Sequence, residues 1–117
     1  MLYKQYILFI FCLDGVIEMA KESAFQAKLI KDIKAALPES IVLKTDATYM
    51  QGFPDLLILN GGKWAALECK ARSTASHQPN QDWYVEQLSG MSYAAFIYPE
   101  NKERILNELY EALGPRR

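Results

Sequence analysis

The sequence predicts an α/β fold with the element order α-β-β-β-α-β-α, and three observations carry that expectation. Apolar residues recur at helical spacing after residue 20 and again after residue 101, short apolar or β-branched runs lie between them, and Gly, Pro and Asn mark the boundaries. The chain has 117 residues, of which 50% are hydrophobic and 23% charged, a balance that suits one domain with one core.

Residues 1–18 stand apart from the rest. Tyr6 to Leu13 is almost wholly apolar but ends at Asp14, well short of the roughly 20 residues that span a membrane. Lys4 precedes the run as in a signal peptide, yet Val16-Ile17-Glu18 lacks a small-residue cleavage pattern, so secretion is not expected. Met19 offers an alternative start for the native product, with residues 1–18 an apolar leader and residues 19–117 the domain. The competing expectation is an added edge strand or a short helix packed on the core.

From Ala20 to Leu37, Phe25, Leu29, Ile30, Ile33 and Leu37 fall on one helical face, and Pro38 stops the helix. Ile41-Val42-Leu43 reads as a short strand and Asp46 to Gly52 as a loop. Pro54 to Leu59 and Lys63 to Lys70 are apolar-rich runs joined by Asn60-Gly61-Gly62, which supplies the positive φ angles of a tight hairpin. Residues 71–79 are polar and aperiodic, as in a mobile loop. Asn80 to Leu88 follows as a helix with Trp83, Val85 and Leu88 as its inward positions, and Gly90 is expected to close it. Tyr93 to Tyr98 is a strand. Asn101 caps a last helix whose stripe is Ile105, Leu106, Leu109 and Leu113, and Gly114-Pro115 ends it.

Charge and cysteine content exclude several classes of function. Thirteen basic residues against fourteen acidic give a net charge of -1, so nucleic acid cannot be held by bulk charge and any contact must be local. Cys12 and Cys69 cannot make a disulfide framework, and the single histidine leaves no zinc ligand set. An intracellular, reduced, cytoplasmic protein without a membrane segment is expected.

The hairpin carries the chemistry. With Gly61 and Gly62 at the centre of the turn, Asn60 faces Lys63 and Asp55 faces Glu68, their Cβ atoms about 4.5–5.5 Å apart on one face. Lys70, two residues beyond Glu68, projects to the same face, whereas Cys69 points to the other and reads as a buried small hydrophobe. Paired carboxylates repel unless a cation or proton lies between them, and hard oxygen ligands suit Mg²⁺ or Mn²⁺. A lysine beside such an ion can hold or deprotonate an attacking water, or steady a phosphate. A turn of three residues would instead put Asp55 and Glu68 on opposite faces.

Gly52-Phe53-Pro54-Asp55-Leu56-Leu57, followed by Leu67-Glu68-Cys69-Lys70, resembles the signature of the PD-(D/E)xK nucleases, with Pro54-Asp55 and Glu68-Cys69-Lys70 as its halves. Within that superfamily the chain is most similar to the small VRR-NUC domain nucleases of phages and repair enzymes, archaeal Holliday-junction resolvases standing further off. The likeness spans roughly Lys21 to Tyr98. It implies a restriction-endonuclease-like three-layer fold in which helices flank a central mixed sheet. It also implies that the Cys69 backbone carbonyl joins Asp55 and Glu68 as a metal ligand. Glu22 matches an acidic residue that the family places near the metal from its first helix, with Gln26 one turn along; the alternative is an ordinary charge in a first helical turn. Gln81, in preference to Gln78, matches a glutamine at the start of the later helix.

The activity implied is that of a Mg²⁺- or Mn²⁺-dependent endodeoxyribonuclease acting on branched or flapped DNA, or nicking duplex. A Holliday-junction resolvase is the nearest alternative, and a catalytically silent DNA-binding module the alternative from another class. Lys44, Lys63 and Arg72, beside Lys70 and the terminal Arg116-Arg117, are the expected phosphate contacts. A homodimer would supply two sites, and a phage-encoded protein would work in the host cytoplasm. His77 reads as a solvated loop residue, and Trp83, Tyr84 and Tyr93 as core more readily than as base-stacking groups.

Overall fold

The computed structural model describes residues 2–115, with side chains from residue 13 onward. Its elements follow in the order α1 (Leu2–Ala36), β1 (Ile41–Lys44), β2 (Leu56–Asn60), β3 (Lys63–Cys69), α2 (Gln81–Met91), β4 (Tyr93–Ile97) and α3 (Lys102–Leu113). One sheet runs in the order β1-β2-β3-β4; β1 and β3 pair antiparallel with β2, and β4 pairs parallel with β3. The chain is thus mixed α/β, with four strands and three helices.

Alternation along the strands sorts the two faces of the sheet. Leu56, Ile58, Ala65, Leu67, Cys69 and Ile97 form one buried layer, against which α1 places Leu29 and Ile33, and α3 places Ile105, Leu109 and Leu113. The opposite face carries Glu68 and, through Gln81, receives α2. The β2–β3 hairpin has the two-residue turn, with Asn60 paired to Lys63 and Leu56 to Leu67. Only Gly61 of the turn has a positive φ, +63°, as a II′ turn requires of its first central residue. The turn also closes the end of α3: Asn60 Nδ2 donates to Leu113 O at 2.7 Å and Lys63 Nζ to Gly114 O at 2.8 Å.

Several boundaries differ from the sequence expectation for physical reasons. The first helix does not begin at Ala20; it is continuous from Leu2, because neither a proline nor a capping residue interrupts the chain near Met19 and Gly15 alone does not break a helix. Residues 1–18 therefore contribute neither an edge strand nor a separate short helix over their described part. In α2 Gln81 is buried and Val85 and Leu88 are half-buried, while Trp83 is 57% exposed, and the helix runs through Gly90 to Met91. Asn101 sits at the start of α3 without bonding a helix N–H; its side chain turns back, accepting from Tyr98 N and donating to Phe96 O. The polar stretch 71–79 is tied down: Ser73 N donates to Glu100, Ser76 O accepts from Lys70, and Gln78 N donates to Gln81. Among the described residues no helix is long and apolar enough to cross a membrane.

Candidate active site

The site assembles where β2 begins and β3 ends. Thr45, just past β1, fixes the entry to β2: its N–H donates to Asp55 O at 2.9 Å and its hydroxyl to Pro54 O at 2.6 Å. One residue beyond the last ladder pair, Asp55 Oδ2 accepts from Cys69 N at 3.0 Å, which holds the Asp55 carboxylate beside Glu68. Within a strand, the N–H and C=O of one residue point to the same edge, so the Cys69 carbonyl lies on the Asp55 side as well.

Glu68 is 2% exposed and Lys70 5%. Gln81 ties them together: its Nε2 donates to Glu68 Oε1 at 2.9 Å, and its Oε1 accepts from Lys70 Nζ at 2.7 Å and from Gln78 N at 2.8 Å. Ser76 O accepts a second Lys70 proton at 3.1 Å, leaving one of the three ammonium donors for a water or phosphate. Gln81 is thus the glutamine whose side chain enters the site, and Gln78 takes part through its backbone alone.

Burial pushes the Glu68 carboxyl above its usual range, and the Asp55 charge pushes it further, against the opposing pull of Lys70. Asp55 is also raised, by burial first, with the Cys69 N–H and Lys70 partly offsetting it. Glu22 is raised by burial and then by the Asp55 charge, so α1 does bring this carboxylate into the field of the pair. Gln26 turns to the Cys69 thiol, which burial holds far above its ordinary range and keeps an unreactive part of the core.

A hard divalent cation fits this donor set. Glu68 Oε2 is buried with no hydrogen-bond partner, and an orphaned carboxylate oxygen facing a second carboxylate is a costly arrangement without a cation or proton. Among the described residues no group of three His, Cys, Asp or Glu side chains is placed to hold a metal; the oxygens at hand here are the two carboxylates and the Cys69 main-chain carbonyl. Mg²⁺ commonly completes such a partial shell with water and substrate oxygen.

The candidate phosphate contacts divide. Lys44 is exposed at the end of β1 and pairs with Leu56, so it lies on the α1-facing side of the sheet and not on the face of Glu68. Arg72 lies at the rim, its Nε 3.4 Å from Glu18 of α1. Lys63 is at the turn end of the hairpin, roughly 17 Å along β3 from Glu68 and engaged with Gly114, so it is not brought to the site. Arg116 and Arg117 lie outside the described residues. Sequence reading missed His77, which is not simply solvated: its Nδ1 lies 2.6 Å from Asp82 Oδ1 and its ring stacks on Phe96 at 4.2 Å, Phe96 being the β4 partner of Glu68. The spacing of His77 and Asp82 across the start of α2 is the one sequence signal for that pair.

Comparison of the chain with protein-family models, with curated proteins and with solved structures returns no match in any of the three.

Proposed function

We propose that the protein is a metal-dependent endodeoxyribonuclease of the PD-(D/E)xK type, with a restriction-endonuclease-like fold and Asp55, Glu68 and Lys70 as its catalytic residues. One observation carries the reading: two opposed carboxylates, one with a buried unpartnered oxygen, stand beside a lysine whose ammonium is held in place by Gln81 and Ser76. Asp55, Glu68 and the Cys69 carbonyl would hold Mg²⁺ or Mn²⁺, with Glu22 reaching it through water. When bound, the ion supplies Lewis-acid polarisation of the phosphate and acidifies water. Lys70 holds the attacking water or the phosphate oxygen with its remaining N–H, and Gln81 orients Glu68 by donating to it.

Branched or flapped DNA is the substrate class proposed, with nicking of duplex as the simpler form. A second copy would dock on the outer end of the sheet, where Ile41 and Leu43 are 57% and 45% exposed and pair with the half-buried Leu59 and Leu57. Two copies would carry the two sites that paired cuts across a four-way junction need.

The test is incubation of the purified chain with plasmid, flap and four-way-junction DNA, with and without Mg²⁺ or Mn²⁺. Cleavage that needs metal and disappears in Asp55→Asn and Lys70→Ala is expected, with calorimetric metal binding kept in Lys70→Ala. Cleavage persisting in either variant would overturn the assignment.

A further inference from the structure

Next to the carboxylates lies a surface that the reading above leaves unused. Tyr49 is 85% exposed and Trp83 57%, and they belong to one connected row. Phe53 meets Tyr84 edge-on with ring centroids 5.6 Å apart, and Tyr84 meets Trp83 edge-on at 5.0 Å. Tyr49 and Phe53 share a shallow cleft of about 270 Å³ with Thr45, Asp46 and Met50. The row begins at the site, since Phe53 precedes Asp55 by two residues and Tyr84 follows Gln81 by one helical turn. Gly52 locks the two segments together: a Cβ there would stand 2.6 Å from Pro79 O and 2.7 Å from Asn80 Cβ.

Charge selects the occupant. The cleft carries Asp46 and neither lysine nor arginine, so it repels a phosphate but accepts the flat, uncharged face of a nucleobase. Both Thr48 bonds to Asp46 go to Oδ1, at 2.9 and 2.6 Å, and Oδ2 is left for a donor such as the exocyclic amino group of cytosine. A chain of net charge -1 can neutralise few phosphates, so affinity for a DNA strand has to draw on its bases, and stacking on aromatic rings is the sequence-tolerant way to do so.

We propose that Tyr49, Phe53, Tyr84 and Trp83, with Asp46 at the edge, form a stacking site for unpaired bases of a strand whose phosphate meets Lys70 and the cation that Asp55 and Glu68 would hold. Substrates with unpaired bases beside the cut are then the preferred class. The inference rests on the nuclease reading for the position of the cut, and on the aromatic row for the bases.

The experiment measures fluorescence anisotropy of the full chain in Ca²⁺ with labelled oligodeoxycytidylate, oligothymidylate and duplex of equal length. Trp83→Ala and Tyr49→Ala, both at exposed positions, should each weaken single-strand binding by about tenfold and duplex binding far less. Trp83→Phe should retain affinity while losing the quenching of tryptophan emission that single strand produces, and oligodeoxycytidylate should bind more tightly than oligothymidylate. Equal losses on single strand and duplex, no loss at all, or a change of oligomeric state with DNA affinity intact would overturn the proposal, the last assigning the row to a self-contact. The two readings fail separately: single-strand preference and quenching without Mg²⁺-dependent cleavage would sink the nuclease alone, whereas cleavage without that preference would sink the stacking site alone.

Discussion

Gln81 Nε2 donates to Glu68 Oε1 at 2.9 Å, so the most deeply buried carboxylate of the site is oriented by the first residue of α2. The same amide accepts from Lys70 Nζ at 2.7 Å, and this one side chain sets the spacing between the proposed metal ligand and the proposed proton-transfer group. Removing it strips Glu68 of the hydrogen bond at Oε1 and leaves Lys70 held by Ser76 O alone among the described residues. Gln81→Ala is therefore expected to lower metal affinity or cleavage by about 10- to 100-fold. Calorimetric titration and steady-state kinetics would show it; a change under twofold in both would remove Gln81 from the site.

The carboxylate pair sets a pH dependence for the metal-free protein. Asp55, Glu68 and Glu22 all have pKa values raised in the folded chain, so above the ordinary carboxylate range the folded state binds more protons than the unfolded one. Stability contributed by this pair is present in full below the usual value of 4.5 for Glu68 and is lost as pH rises through the raised values. Thermal melts without metal should fall toward alkaline pH, and Asp55→Asn or Glu68→Gln should flatten that fall. Added Mg²⁺ competes with the protons, so the Tm gain on adding it should grow with pH in the parent chain and vanish in both variants. A metal-free chain whose stability rises with pH between 5 and 8 would contradict the arrangement.

Strand alternation and a two-residue turn made the Asp55, Glu68 and Lys70 face legible in the sequence, because a hairpin of known register converts sequence distance directly into spatial pairing. On α2 the same logic holds for Val85 and Leu88, which are half-buried, and fails for Trp83: the buried residue is the polar Gln81, which reaches Glu68, and the tryptophan faces outward. Lys63 shows another gap, since sharing a strand with Glu68 says nothing about which end of that strand holds the chemistry. The unbroken α1 was illegible because a change of composition at residue 18 does not stop a helix.

The first turns of α1 bear on folding only lightly. Leu13, Val16, Ile17 and Met19 are exposed, and among the described side chains Glu18 pairs with Arg72 at the rim. A rim ion pair contributes under about 1 kcal/mol. A chain beginning at Met19 should keep a Tm within a few degrees of the full chain and cleave at a similar rate. Failure of that chain to fold would show that the apolar run stabilises the core.

Gly52 is where backbone geometry and the site meet most sharply. Its φ of +89° lies in the left-handed region, which costs a residue with a side chain about 1–3 kcal/mol. Gly61 in the hairpin turn also has a positive φ, +63°, but a Cβ there meets nothing within 4 Å, whereas at Gly52 it would lie 2.6 Å from Pro79 O. Gly61→Ala should cost only the conformational strain. Gly52→Ala adds a clash between two backbone segments, so its loss should reach about 3 kcal/mol, with Tm lower by roughly 10 °C. The clash also pushes the Phe53-Pro54-Asp55 segment away from the start of α2, which separates Asp55 and Phe53 from Gln81 and Tyr84. Cleavage assayed well below the melting temperature should therefore fall in Gly52→Ala and stay near the parent level in Gly61→Ala. Equal activity in the two variants would mean that the 52–55 segment and α2 act independently.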